Sequence, residues 1–511
     1  MKSVFRVPRP ARSPRPRICG NGPAARRLAA SLGLALLSAC AVGPDYQRPS
    51  APVSSRYKEA PVGGADWIAA APADALDRGD WWRRFDDSEL DRLARDVDAA
   101  NQTVAGALAS YRQAEALVRE ARAAYFPSLG LGIGASRSGG GRDVAAATST
   151  GRSGSAGTAY SASLNGDWAP DFWGHVSRNV EGARAGVQAS TADLAAARLS
   201  AQAAMAIDYF SLREADFEAE LLQKSIDGYD RALTITQNRY NAGVVAKTDV
   251  LQAQTQLATT RSALSTVRAN RARLEHAIAL LTGKPAGDFA IAAGRWNAVV
   301  PAIPLGVPSA LLQRRPDIAS AERQVAAANA QIGVQRSAYF PSLTLNASLG
   351  NAGSRIGDLF KVSNALWSVG ASVAQTLFDA GAIAARVSAA EAARDIAVAR
   401  YRQTVLAAFQ AVEDQLTNAR ADAEQAELQQ QASDAADLTE QQILNRYRAG
   451  QLGYTDVVTA QASALSARRA LVQVAVNRQI AAVSLIQALG GGWDSAAAVE
   501  TNSSVRGDSA K

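Results

Sequence analysis

The residues best suited to chemistry in this sequence are two Thr-Asp pairs that stand in the same context. Thr248-Asp249 follows a segment, Asn238 to Gly243, that returns as Asn445 to Gly450 ahead of Thr455-Asp456, at a constant offset of 207 residues. A glycine supplies the turn that an uninterrupted helix cannot make. We expect each threonine to cap the next helix and each aspartate to lie in its first turn, where a carboxylate complements the helix dipole. Carboxylates brought close together in a ring would also select cations by their charge.

The duplication extends well beyond these pairs. Tyr125-Phe126-Pro127-Ser128-Leu129 recurs as Tyr339-Phe340-Pro341-Ser342-Leu343, at an offset of 214 residues. The slip of seven residues between the two offsets falls in a Gly/Ser-rich stretch, where a loop can absorb it. Each copy is about two hundred residues long, far longer than a solenoid repeat. The chain is therefore a duplicated half-protein.

Patterns typical of enzymes are weak. The two histidines, His175 and His276, stand in unrelated contexts. Thr282-Gly283-Lys284 lacks the upstream glycine of a phosphate-binding loop. It corresponds in the duplication to Leu489-Gly490-Gly491, so we expect it to end a helix. The sequence predicts no catalytic residue, no cofactor and no metal site.

The N-terminus has the pattern of a bacterial export signal. Residues 1–27 carry eight Lys or Arg and no acid, and an apolar run from Leu28 to Ala39 leads to Cys40. That run is too short for a spanning helix. Leu37-Ser38-Ala39-Cys40 resembles a lipoprotein box, which predicts cleavage before Cys40 and acylation of its thiol. Each buried methylene of such chains adds ~0.8 kcal/mol of membrane affinity.

The basic character of the chain belongs to this signal. The whole sequence has 54 Lys+Arg against 47 Asp+Glu, and removal of the eight N-terminal basic residues brings these counts to near balance. The charge therefore does not predict nucleic-acid binding. Cys19 lies within the signal, so the mature chain has one cysteine and no internal disulfide.

Four short segments alternate apolar residues with small or polar ones, which is typical of membrane barrel strands. They run over residues 129–135, 160–164, 343–349 and 367–373 as two hairpins, with connections at about 137–158 and 350–363. A half-buried strand of a soluble sheet would fit any one of them equally well. All four together favour the barrel.

Long helices are predicted between and after these hairpins. No proline occurs between Pro170 and Pro285 or after Pro341, and Ala, Gln, Arg, Leu and Glu dominate. We expect one helix over 382–446, with returning helices over 248–283 and 455–489. Leu257, Leu264, Val267, Leu274, Ile278 and Leu281 follow a heptad-like stripe. Residues 41–86 are expected to be an extended, unpacked leader.

Four strands cannot close a barrel, and an open edge cannot face lipid. The chain must therefore oligomerise, with eight strands as a dimer or twelve as a trimer. Twelve strands leave room for a lumen, whereas eight leave an interior that side chains fill.

The chain resembles the TolC-type outer-membrane factors, in the lipoprotein branch that serves resistance-nodulation-division efflux systems. The resemblance rests on the paired motifs above, on Leu312 to Ile318 (sequence LQRRPDI) and on Leu489 to Trp493 (LGGGW). It implies an α+β membrane protein with an internal duplication. The expected form is a trimeric 12-stranded outer-membrane β-barrel, four strands per chain, continued by a 12-helix periplasmic α-barrel.

The resemblance also assigns a periplasmic gate to Asp249, Tyr447, Asp456, Thr248 and Thr455. In a trimer the two aspartates would become six carboxylates near one axis, and Tyr447 would hold the closed state through a hydrogen bond. Two positions depart from the family pattern. Thr459 replaces a frequent carboxylate, and Leu452 replaces a basic gating residue of some members, so a thinner closure network is expected.

The predicted partners follow from the same resemblance. They are two further copies of the chain, outer-membrane lipid, a periplasmic adaptor protein and an inner-membrane resistance-nodulation-division transporter. The docking turns for the adaptor would contain Gly243 and Val244 in the first repeat and Gly450, Gln451 and Leu452 in the second.

The resulting organisation has five parts. We expect a signal peptide over 1–39, a lipidated leader over 40–86, a first repeat over 87–300, a second over 301–493 and a polar tail over 494–511. The predicted function is an outer-membrane exit channel of a tripartite drug efflux pump. A duct for metal cations or secreted polypeptides has the same fold, and a lipid-anchored periplasmic coiled-coil scaffold without a pore is the alternative from another class.

Overall fold

A computed structural model describes residues 42–52, 57–59, 80–139, 157–294, 296–301, 303 and 315–491. The signal segment, Cys40 and the polar tail lie outside these ranges. The described chain separates into two compact units. One contains residues Tyr125–Arg178 and Gly333–Ile383, and the other contains Pro44–Ala124, Asn179–Ile332 and the described part of the chain from Ala384 onward.

The first unit is built on a four-stranded antiparallel sheet. Its strands are β1 (Ser128–Ser138), β2 (Gly157–Trp168), β3 (Ser342–Gly353) and β4 (Ala365–Ala374), and they pair in chain order. All four predicted strands are confirmed. The connection between β3 and β4 contains two short 3₁₀ turns, Ile356–Phe360 and Val362–Asn364.

One face of this sheet is an exposed apolar surface. Leu131, Leu164, Leu349 and Trp367 are register partners across all four strands, and their exposures run from 44% to 76%. The opposite face carries small polar residues, and the Ser348 and Ser368 hydroxyls are 2.8 Å apart. The period-two pattern therefore produces an apolar and a hydrophilic face, as predicted.

Helices dominate the rest of the chain, and their lengths repeat the duplication. Two of 22 residues are α2 (Gln102–Ala123) and α5 (Pro316–Ser337), two of 67 are α3 (His175–Asn241) and α6 (Ala382–Arg448), and two of 35 are α4 (Lys247–Leu281) and α7 (Tyr454–Ala488). A shorter helix, α1 (Ser88–Ala100), precedes them. None of the helices in the described ranges is long and apolar enough to cross a bilayer.

The core of the helical unit lies where α1 packs on α3. Asp87 caps α1 by accepting from the backbone N–H groups of Glu89 and Leu90, and its other oxygen accepts from the Tyr209 hydroxyl at 2.7 Å. Leu90, Leu93 and Phe210 are almost fully buried. Along α4, four residues of the predicted heptad stripe are buried: Leu257, Leu264, Val267 and Ile278.

The expectation of an unpacked leader is wrong for its last residues. Trp81, Trp82 and Phe85 lie in a 3₁₀ turn, Trp81–Phe85, and all three rings are buried in this core. Three aromatic side chains remove too much apolar surface from water for the segment to stay extended. Residues 44–52 have no regular structure but are bound to the helices. Asn329 donates to the Pro44 carbonyl at 2.8 Å, and Arg402 donates to that of Ser50 at 3.1 Å.

Candidate functional site

Each helical hairpin reverses through a tight turn of five residues, 242–246 in the first repeat and 449–453 in the second. We call these the first and second turns. In the first, Gly243 donates to the Tyr240 carbonyl and Val244 to that of Arg239, both at 2.9 Å. Gly450 and Gln451 make the equivalent bonds in the second turn, also at 2.9 Å. This paired pattern is a Schellman motif, which requires a left-handed residue just beyond the helix.

Glycine meets that requirement in both turns. Gly243 has φ of +74° and Gly450 has φ of +77°. A Cβ built on either glycine would meet nothing within 4 Å. The turns therefore need glycine for its backbone conformation and not for lack of space. Val244, two-thirds exposed, presents an apolar side chain beside Gly243.

The predicted caps of the returning helices are wrong. Helix α4 has Ala246 at its N-cap and α7 has Gly453, and neither receives a side-chain cap. Thr248 and Thr455 are the second residues of their helices, two positions past the N-cap, from which a side chain would accept from the first free N–H groups. Thr455 instead donates to the amide oxygen of Gln252, on α4, at 3.0 Å.

Asp249 and Asp456 lie in the first turns of α4 and α7, as predicted. There each carboxylate complements the positive end of the helix dipole. Asp249 is half-buried and Asp456 is exposed. Each repeat therefore has one carboxylate at the N-terminus of its returning helix.

The Tyr447 side chain contacts residues of both hairpins. Its hydroxyl is buried and has no hydrogen-bond partner among the described residues. Its ring meets that of Tyr454 edge-on, with centroids 5.7 Å apart and planes at 60°. The Arg239 guanidinium carbon lies 5.2 Å from the Tyr447 ring centroid, which is a cation–π geometry. The structure therefore brings Tyr447 together with Arg239 and Tyr454.

Sequence reasoning missed Tyr454, Gln252 and the contact of Arg239. Tyr454 occupies the place that Lys247 has in the first repeat. This difference between the two copies is the sequence signal that could have identified Tyr454. Tyr454 is 3% exposed and packs in one apolar cluster with Ala253 and Val457. Burial, with the nearby Tyr447, Tyr229 and Asp249, raises the pKa of Tyr454 to about 12.

Comparisons with known proteins agree with this architecture. The family model described as "Outer membrane efflux protein" matches residues 93–284 and 307–491. The chain is 31% identical over 466 residues to the pyoverdine export outer membrane protein OpmQ of Pseudomonas aeruginosa, covering 90% of this chain and 97% of that protein. It is 28% identical over 462 residues to the cation efflux system protein CusC of Escherichia coli, covering 89% and 96%.

Solved structures match equally well. The outer-membrane channel OprN superposes with a TM-score of 0.78 at 29% identity, covering 89% of this chain and all of that one. CusC superposes with a TM-score of 0.76 at 26% identity, covering 88% and 100%. These matches confirm the predicted fold class, a trimeric outer-membrane channel with four strands per chain, and the location in the outer membrane. The chain belongs to the outer membrane efflux protein family.

Proposed function

We propose that this chain is the passive exit duct of a tripartite efflux pump, joined by a periplasmic adaptor to an inner-membrane resistance-nodulation-division transporter. The observation that carries this proposal is the extent of the likeness. It covers about nine-tenths of the chain and includes both repeats, the sheet and the helical hairpins. A duct of this kind does no covalent chemistry, in keeping with the weak enzyme patterns of the sequence.

The cargo follows from the partner transporter and not from the duct. Relatives of similar identity are named for pyoverdine, toluene and cation efflux, although they share one fold. We propose small toxic molecules as the cargo. Export of metal cations is the second candidate, favoured by the likeness to CusC.

The gate of this duct is proposed at the two turns. Asp249 and Asp456 are held at helix N-termini, and a trimer would gather six such carboxylates. Like charges at one constriction repel each other, so water or a bound cation must screen them. Tyr447, half-buried beside the second turn with its hydroxyl enclosed, is proposed to keep the hairpins together.

The gate is tested by replacing Tyr447 and Asp456 together with alanine in a strain that lacks its own duct. We expect larger single-channel conductance in planar bilayers and sensitivity to vancomycin, which is normally too large to enter. Divalent-cation block should weaken in Asp456→Ala, because the ring loses three charges. Tyr240→Ala is the matched control, since Tyr240 is the exposed counterpart of Tyr447. Parent-like conductance and block would leave these residues without a gating role.

The docking surface for the adaptor is proposed around both turns, at Gly243, Val244, Gly450, Gln451 and Leu452. Val244 is exposed, and both glycines face open space. Substituting Gly243 or Gly450 with valine strains a left-handed position and should abolish drug resistance while the trimer still assembles. Resistance and adaptor crosslinking that both survive these changes would rule out docking at the turns. Gly106→Val is the control, because Gly106 also faces open space but lies in α2, outside both turns.

A further inference from the structure

The duplication places three pairs of equivalent residues near the two turns, and the structure treats the members of each pair differently. Tyr447 is packed, with its hydroxyl buried, whereas its counterpart Tyr240 is exposed. Arg239 lies over an aromatic ring, whereas its counterpart Arg446 is exposed. Tyr454 is buried where the first repeat has the exposed Lys247. The symmetry of the sequence is therefore broken at this point.

We infer that Arg239, Tyr447 and Tyr454 form a cation–aromatic clasp that holds the two helical hairpins of one chain together at their turns. Arg239 lies in the last turn of α3, in the first hairpin, while Tyr447 and Tyr454 flank the second turn. The clasp thus joins the first hairpin to the second. The inference rests on the proposed gated duct, because only there does separation of the hairpins mean opening.

The surroundings of the clasp support this role. Leu233, Ala253, Leu444 and Val457 pack around the tyrosines, one from each of the four helices. Arg239 is itself half-buried, and a less hydrated guanidinium group is attracted more strongly to a ring. The Thr455 to Gln252 hydrogen bond, 3.0 Å long, adds a second link between the hairpins beside the clasp.

The clasp makes no use of the Tyr447 hydroxyl. That hydroxyl has no partner among the described residues. The contacts of Tyr447 with Tyr454 and with Arg239 are both made by its ring. Closure through a hydrogen bond from Tyr447 would instead require the oxygen. The two mechanisms therefore differ in what a Tyr447→Phe change does.

The first test measures vancomycin entry and single-channel conductance for matched variants. We expect Tyr447→Phe to leak far less than Tyr447→Ala, because phenylalanine keeps the ring. Arg239→Gln should raise the open fraction by roughly three- to tenfold, the range expected from loss of one partly desolvated cation–π contact. Arg239→Lys should restore part of the closure, and Arg446→Gln, the counterpart in the second repeat, should resemble the parent.

The second test does not depend on transport. Cys40 is the only cysteine after residue 19, so Gln252→Cys with Thr455→Cys introduces one reporter pair across the hairpins. In purified protein, Arg239→Gln should slow disulfide formation between these two positions, and Arg446→Gln should not. A duct that fails to restore resistance but keeps this difference would refute the proposed function and leave the clasp standing. Tyr447→Phe leaking as much as Tyr447→Ala, or equal crosslinking in both arginine variants, would overturn the clasp.

Discussion

At the scale of single residues, the threonine and the aspartate of each Thr-Asp pair have different roles at the start of the helix. Thr248 makes no cap, whereas Asp249 lies where its charge meets the helix dipole. We expect Asp249→Ala to lower the free energy of unfolding by about 0.3–1 kcal/mol, and Thr248→Ala to leave it nearly unchanged. Thermal unfolding of the detergent-solubilised trimer measures both changes.

Thr455 provides the internal comparison, because it is equivalent to Thr248 by duplication. Its hydrogen bond to Gln252 has no counterpart in the described contacts of Thr248. Thr455→Ala should therefore cost about 0.5–1.5 kcal/mol, the net worth of one hydrogen bond. Equal effects of Thr248→Ala and Thr455→Ala on stability would show that the bond to Gln252 contributes no net free energy.

At the scale of elements, the contact between α3 and α7 contains a glutamate with a raised pKa, Glu214. Burial, with the neighbouring charge of Glu218, raises the pKa of Glu214 to about 7, against the opposing effects of Gln473 and Arg469. A carboxyl whose folded pKa is raised favours the folded state at low pH. That stability is lost as the pH rises from the ordinary range of glutamate through 7.

The expected result is that Glu214→Gln raises the thermal midpoint at pH 8 and has little effect at pH 5. The amide removes the cost of a buried charge at high pH, while at low pH the parent side chain is already neutral. Thermal scans of the solubilised protein at several pH values give the measurement. Glu220→Gln on the same helix is the control, because its side chain is largely exposed. A midpoint difference that does not change with pH would contradict the prediction.

At the scale of the whole molecule, membrane attachment is proposed to have two sources, the sheet and an acylated Cys40. Mass spectrometry of the N-terminal peptide should find diacylglyceryl and an amide-linked acyl group on Cys40. Cys40→Ala with a working cleavage signal should remain partly functional, because the apolar face of the sheet also binds lipid. A free thiol, or a mature N-terminus elsewhere, would refute the lipoprotein assignment.

Much of the architecture follows from local sequence. The strands follow from period-two alternation, and the long helices follow from the lack of proline and the abundance of good helix formers. The hairpin turns follow from Gly243 and Gly450, because a left-handed residue must end a Schellman motif. The equal lengths of α3 and α6 follow from the duplication itself. These features depend on backbone conformation and short-range pattern, so the sequence alone determined them.

Other features depended on which surfaces meet in the folded chain. Trp81, Trp82 and Phe85 joined the core through helices distant in sequence, which a reading of their proline-containing surroundings did not predict. Arg315 binds Asp317 and also the Ala488 carbonyl at 2.9 Å, so its motif links the start of α5 to the end of α7. Neither contact is visible in the local pattern.

The turns themselves show the division most clearly. The sequence determined two matching turns with the same Asn-Arg-Tyr approach and the same Thr-Asp exit. Only the tertiary structure decided that Tyr447 packs under Arg239 with its hydroxyl buried, while Tyr240 is exposed. Closely similar local segments have similar local preferences, but each hairpin packs against a different neighbour. The burial of a side chain depends on what packs against it as well as on its type. The two similar motifs therefore lie in different environments.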